Sequence, residues 1–184
     1  METDYQSDEY WIKRMATDIN AFEVIYDRYL PGLSRYIYRR IGDPIETEEL
    51  TAEVFFHAVE GIINEKYSSR NKFAAWLFSI ARVKIANFFR NRKIDSDIDT
   101  YEELSIPANI ESTTPVNINL EKCFRDLTDS DKELLALRFS ADLDFNTIAS
   151  ILHKNSAAVK MATYRALRKL RQEMEKLNEQ DANE

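Results

Sequence analysis

The sequence predicts an all-α protein: two small helical domains joined by an acidic linker, the C-terminal one carrying a helix-turn-helix. Three observations lead there. The 184 residues include only three glycines and four prolines, and no stretch keeps the alternation of apolar and polar residues that marks a strand. Apolar residues instead recur at steps of three and four, the spacing of one helix face. Finally, Asp95 to Asn119 holds two prolines, a Ser-Thr-Thr cluster and many acids without any period, a composition that reads as a linker.

Each element follows in order. Asp18 offers a side-chain oxygen to the free N–H groups of a helix start. Phe22, Ile25, Tyr26, Tyr29, Leu30 and Leu33 then share a face that continues through Tyr36 and Ile37. Pro31-Gly32 lies inside this helix. A proline removes a backbone hydrogen bond and clashes with the preceding turn, so a kink or a break into two helices is expected there. Gly42-Asp43-Pro44 makes a turn, and the next helix, Glu46 to Ile62, places Leu50, Val54, Phe55, Ala58 and Ile62 inward. Several acids sit in its first turns, where the helix dipole favours negative charge. After the loop Asn64 to Lys72, a long helix puts Phe73, Trp76, Leu77, Ile80, Ala81, Ile85 and Phe88 on its buried side, with Trp76 read as core. The domains are therefore expected at 1–94 and 120–184, with the linker over 95–119. In the second, Leu120, Phe124 and Leu127 suggest one helix, and Leu134, Leu135, Leu137, Arg138 and Phe139 another. Ile148 to Leu152 makes a short third, and the last helix starts near Ser156.

The formal net charge of -7 argues at first against a nucleic-acid partner. The charges, however, are segregated. Ile41 to Glu65 holds seven acids and no Lys or Arg, whereas Lys66 to Ile94 holds eight bases and no acid. Ile94 to Asn119 carries six acids and no base, and Phe145 to Gln172 six bases and no acid. Local fields govern contact with phosphates, because salt screens charge beyond a Debye length of about 8 to 10 Å. Two nucleic-acid contact surfaces thus remain open.

Other classes are disfavoured. Cys123 is the one cysteine, which excludes an internal disulfide and reads as a small buried thiol. His57 and His153 have no metal-ligand spacing, and neither a metal nor another cofactor is expected. No run approaches the roughly 20 apolar residues that span a bilayer, and Met1-Glu2-Thr3-Asp4 lacks the features of a secretion signal. A cytoplasmic protein without membrane insertion is the expectation. Without a Gly-rich phosphate loop or a nucleophile motif, it is not expected to be an enzyme.

Phe145 to Leu152, the turn His153-Lys154-Asn155 and the helix from Ser156 to Arg171 have the proportions of a helix-turn-helix. A second helix enters the major groove when its N-terminal residues are small or polar and bases flank it to meet phosphates. Asn155, Ser156, Ala157 and Ala158 meet the first condition; Lys154, Lys160, Arg165 and Arg168 meet the second. A plain amphipathic hairpin with a solvated basic face has the same spacing.

Three C-terminal segments together resemble the C-terminal domain of extracytoplasmic-function (ECF) sigma factors of bacterial RNA polymerase. They are Leu127-Thr128-Asp129-Ser130-Asp131-Lys132-Glu133-Leu134-Leu135-Ala136-Leu137-Arg138-Phe139, then Phe145-Asn146-Thr147-Ile148-Ala149-Ser150-Ile151-Leu152, then Ala158-Val159-Lys160-Met161. The N-terminal half adds an independent match. Glu48-Glu49-Leu50-Thr51-Ala52-Glu53-Val54-Phe55 resembles the family's acidic helix, and Phe73-Ala74-Ala75-Trp76-Leu77-Phe78-Ser79-Ile80-Ala81-Arg82 the helix after it. Three positions depart from the family pattern. Ala52 replaces a usual glutamine, His153 stands where glycine is usual in the turn, and Met161-Ala162 replaces a common Ser-Arg pair.

The resemblance implies a transcription initiation factor that brings core RNA polymerase to particular promoters. Glu46, Glu48, Glu49, Ala52, Glu53 and Phe56 would dock on the polymerase β′ coiled coil, and the β flap is a second implied contact. Lys66, Tyr67, Ser68, Arg70, Asn71 and Lys72 would handle the melted minus-10 element with charge, a stacking ring and hydrogen-bonding groups. Arg82, Asn87, Arg90 and Asn91 lie farther along that surface. Lys154, Asn155, Ser156, Ala157, Ala158, Lys160, Met161, Tyr164, Arg165 and Arg168 would read the minus-35 element. An anti-sigma factor is an implied partner beside polymerase and promoter DNA. In this family the linker threads near the RNA path, so Asp95, Asp97, Asp99, Glu102, Glu103 and Glu111 are either phosphate mimics or a simple tether. Two alternatives stand beside this reading: a helix-turn-helix regulator that binds DNA without polymerase, and a helical adaptor that binds only protein. An acidic helix paired with a basic one is what neither alternative needs.

Overall fold

The computed structural model describes residues 7–68, 72–96, 123–124 and 127–181. The chain divides into two compact units, Met1–Ser105 and Ile106–Glu184. The described residues are helical, without a strand.

The first unit opens with a helix that the spacing does not announce. Ser7 accepts from the Tyr10 N–H and starts α1 (Asp8–Arg14), too short to show a period. It buries Ile12, and Met15 after it is buried as well. Asp8 ties it to the next helix by accepting from the Arg28 guanidinium and the Tyr29 hydroxyl. Burial, with Asp8 adding to it, raises the Tyr29 pKa far above the ordinary phenol value.

Asp18 caps a short 3-10 turn, Ile19–Ala21, through the Asn20 N–H at 3.1 Å, and this turn runs into α2 (Phe22–Ile41). The expected break at Pro31-Gly32 does not occur: one helix spans it. Pro31 faces outward, whereas Ile25 before it and Leu33, Tyr36 and Ile37 after it are fully buried. Burial of that stripe on both sides of the proline outweighs a penalty of about 3 kcal/mol. Gly42, at φ 75°, closes α2, and Asp43 accepts from the N–H groups of Ile45 and Glu46 to open α3 (Pro44–Ile63). The helix begins ahead of Glu46 because a proline in the first turn gives up only an N–H that has no intrahelical partner.

Helix α3 buries Leu50, Val54, Phe55 and Ala58 together with Thr47 and Thr51, whose hydroxyls donate to the carbonyls of Asp43 and Thr47 at 2.6 Å each. Its end is held by the Lys66 N–H on the Gly61 carbonyl at 2.8 Å, with Glu65 left-handed at φ 55°. Helix α4 (Phe73–Ser96) packs Phe73, Leu77, Phe78, Ala81 and Ile85 inward, while Trp76, Ile80 and Phe88 are half-buried. Trp76 lies against Gly61, where an added Cβ would stand 2.8 Å from Trp76 Cη2 and Cζ2. Thus α4 runs two residues into the expected linker. Residues 97–119 and Leu120, with the linker acids from Asp97 on, lie outside the described residues.

In the second unit, Phe124, Leu127, Leu135 and Ala166 form a core flanked by Leu167 and Leu170. Cys123 is fully buried. Thr128 caps α5 (Asp129–Leu135), which runs into a π-helical turn, Ala136–Ser140, closed by the Ala141 N–H on the Ala136 carbonyl at 3.0 Å. Phe139 therefore faces outward, 56% exposed, instead of joining Leu134, Leu135 and Leu137 in the core. Arg138 donates to the Leu143 carbonyl at 3.0 Å and lies over the Phe145 ring. Asp144 caps α6 (Phe145–Leu152) through the Asn146 and Thr147 N–H groups. His153 then takes the left-handed turn, and α7 (Ser156–Asp181) follows. Val159, Thr163 and Ala166 are its buried line, so Tyr164, 49% exposed, belongs to the outer face.

Candidate functional site

Helix α3 presents two opposite faces. With 3.6 residues per turn, Ile45, Glu49, Ala52, Phe56 and Ile63 fall in one stripe opposite the buried Leu50, Val54 and Ala58. Ile45 is 71% exposed, Phe56 67% and Ile63 64%. Glu48 borders the stripe on one side, Glu53 and Glu60 on the other. Of the residues expected to dock, Glu48, Glu49, Ala52, Glu53 and Phe56 are exposed and Glu46 is half-buried. Ile45 and Ile63 are not among the residues expected to dock, although their steps of four residues to Glu49 and seven to Phe56 are a readable signal. A large apolar stripe rimmed by carboxylates suits a partner with apolar and cationic groups. Glu53 already holds one cation, the Lys84 ammonium of α4 at 2.8 Å.

The basic surface of the first unit is less uniform than its charge count. Lys66, Ser68 and Lys72 are exposed, while Arg70 and Asn71 lie outside the described residues. Tyr67 is half-buried, its ring 5.0 Å from Trp76 and 5.7 Å from Phe73. Burial pushes its pKa up to about 12, and the nearby carboxylates Glu9 and Asp8 add to this. One face of that phenol is thus taken up by the aromatic cluster. On α4, Arg90 and Asn91 are exposed and Arg82 and Asn87 half-buried. Val83, 60% exposed, stands on the same outer side. Lys84 is turned toward Glu53 instead.

In the second unit the structure gathers one contiguous face on α7. Ala157, Ala158, Lys160, Met161, Tyr164, Arg165 and Arg168 are all exposed on it, with Lys154 and Asn155 exposed in the turn before it and Ser156 half-buried. Asn155 also caps the helix start, where its carboxamide oxygen accepts from the Ala157 N–H at 2.8 Å. The Lys160 ammonium lies 6.0 Å from the centre of the Tyr164 ring, which in turn packs near Phe145. The turn that aims α7 depends on His153 at φ 51° and ψ 44°, with the Lys154 N–H on the Ala149 carbonyl at 2.9 Å. Small residues at the helix start, cations along it and a tight turn before it are the parts that let a helix lie in a major groove.

Among the described residues, no group of three His, Cys, Asp or Glu side chains could hold a metal. No helix there is long and apolar enough to cross a membrane.

Residues 25–94 match the family model for sigma-70 region 2. The chain is 33% identical over 166 residues to the ECF RNA polymerase sigma factor BldN of Streptomyces coelicolor, covering 86% of this chain and 62% of that protein. It therefore spans less than two thirds of that relative's length. It is 26% identical over 180 residues to the ECF RNA polymerase sigma factor SigX of Bacillus subtilis, covering 87% of each. Its fold is similar to that of the sigma factor RpoE crystallised with the anti-sigma factor NepR from Bartonella quintana. That match has a TM-score of 0.66 at 19% identity and covers 85% of this chain and 98% of RpoE. Residues 25–94 thus carry a sigma-70 region 2, and along most of its length, through both units, the chain is similar to the ECF subfamily of bacterial RNA polymerase sigma factors.

Proposed function

We propose that the protein is a transcription initiation factor that binds core RNA polymerase and directs it to specific promoters. One observation carries this: α3 exposes an apolar stripe with an acidic rim, while α7, in the other unit, exposes a basic face. A DNA-binding regulator has no use for the first surface. A protein adaptor has no use for the second.

In this reading residues 1–94 dock on polymerase through α3, against the β′ coiled coil, and handle the minus-10 element through Lys66 to Lys72 and the outer side of α4. Residues 95–119 link the two domains, and residues 120–184 read the minus-35 element through α7, with the β flap as a further polymerase contact. The protein acts without a catalytic step of its own, in the cytoplasm, where polymerase is. An anti-sigma factor is a further proposed partner, by likeness to the RpoE complex with NepR.

The test is to mix the purified protein with core polymerase and a promoter library that core alone does not transcribe. A stable complex and transcription from a subset of promoters are expected. DNA binding without any polymerase complex would make the protein a helix-turn-helix regulator and overturn the reading of α3.

A further inference from the structure

Along the start of α7 the hydrogen-bonding side chains are few: Asn155, the half-buried Ser156 and Lys160. Residues near the N-terminus of a recognition helix meet base edges. Here the exposed residues of the first two turns include Ala157, Ala158 and Met161, and Met161 is 60% exposed. Asn155, which could otherwise read adenine with both groups of its carboxamide, has its oxygen on the Ala157 N–H. The Thr163 hydroxyl is buried on the Val159 carbonyl. Lys160 is the one cation between Asn155 and Tyr164, and the first arginine on the helix, Arg165, lies about 13 Å along the axis from Ser156. Bidentate reading of guanine needs Arg or Lys, and of adenine Asn or Gln, whereas an apolar side chain matches the thymine methyl group.

We propose that Ala157, Ala158 and Met161 form a thymine-methyl contact patch. The minus-35 element of this protein is then specified mainly by the C5-methyl groups of thymines in the major groove, with Lys154, Lys160, Arg165 and Arg168 holding the phosphates. Met161 suits such a contact, since an unbranched, polarizable side chain adapts to a methyl group at the groove floor. The inference rests on α7 being the helix that enters the groove, as proposed above, and deepens that reading to the chemical group recognised.

Holoenzyme assembled from the full chain and core polymerase would be used to select minus-35 sequences from randomised duplexes. The best duplex is then remade with each thymine of that element replaced in turn by deoxyuridine, which deletes only the methyl. Binding is expected to weaken about fourfold at one or more of these positions, the value of one buried carbon group. Met161→Ser, a change at an exposed position, should abolish the penalty at one of them. Lys160→Ala, measured in parallel, should lower the slope of log affinity against log salt by about 1, as one lost phosphate contact does. If every deoxyuridine duplex binds as the parent does while Lys160→Ala still lowers the slope, α7 is on DNA and the methyl patch is wrong. If no minus-35 sequence is enriched and the slope is unchanged, the placement of α7 in the groove fails, and the methyl patch falls with it.

Discussion

His153 holds a left-handed backbone, φ 51° and ψ 44°, at the turn between α6 and α7. A side chain with a Cβ is strained there by about 1 kcal/mol relative to glycine, which loses more freedom on folding but meets no clash. His153→Gly is accordingly expected to stabilise the second unit by about 0.5 to 1 kcal/mol, read as a higher denaturant midpoint. A lower midpoint would show that the imidazole makes a contact worth more than the strain.

Asp131 carries a pH signature. Burial alone raises its carboxyl pKa, but the hydrogen bond from Lys169 at 2.7 Å and that with Thr128, then the charges of Lys169 and Arg165, outweigh burial and hold it below 3.8. A carboxyl depressed on folding contributes stability that is fully present above the unfolded value and is lost as pH falls through the folded one. Because Lys169 is half-exposed, the pair contributes less than about 1 kcal/mol. Asp131→Asn should therefore lower Tm slightly at pH 7 and flatten its fall below about pH 4. An acid limb identical to that of the parent protein would remove Asp131 as its source. At this scale the left-handed backbone of His153 accords with the glycine usual at that turn in the family it resembles; the second duty of Asn155 as a cap is not legible, because it depends on which way one carboxamide points.

Among the elements, α2 shows tertiary packing overriding a local rule. Pro31 is exposed in a helix whose inward residues on both sides are fully buried. Pro31→Ala restores a backbone donor and removes the ring clash, a gain of about 3 kcal/mol in helix propensity, offset in part by a freer unfolded chain. A net stabilisation of about 1 to 2 kcal/mol is expected by denaturant unfolding. A destabilised variant would mean that α3 and α4 are fitted to a bend that the proline imposes. The π-helical turn Ala136–Ser140 shows the converse. Leu134, Leu135, Leu137 and Phe139 look like parts of one helix side, and where the helix takes π-helical spacing over Ala136–Ser140, Phe139 faces outward.

The whole molecule carries the acidic-rimmed stripe of α3 and the basic face of α7 on separate units, and the proposed function makes these two separable. Glu49→Lys with Phe56→Ser removes a ring and inverts a charge on the outer face of α3, where neither side chain supports the core. Affinity for core polymerase should fall at least about tenfold, as loss of an aromatic anchor does. The circular dichroism and unfolding midpoint should stay unchanged. Normal polymerase binding by the folded variant would move the docking surface off α3. Glu53 is left out of the test because its change would also release Lys84.

Short-range rules account for what is readable in the chain alone: the helical class, the cap at Asp18, the inward stripes of α3 and α4, the helix-turn-helix and the alternating blocks of charge. Each depends on residues within a few positions of one another, so each is written in the spacing. That α2 runs through Pro31, that Tyr67 packs on Trp76 and Phe73, and that Lys84 turns to Glu53 follows from the fold. These outcomes depend on partners brought together by folding, as with the 31 residues that separate Lys84 from Glu53. There, burial and pairing energies across elements exceed the local preferences that a sequence displays.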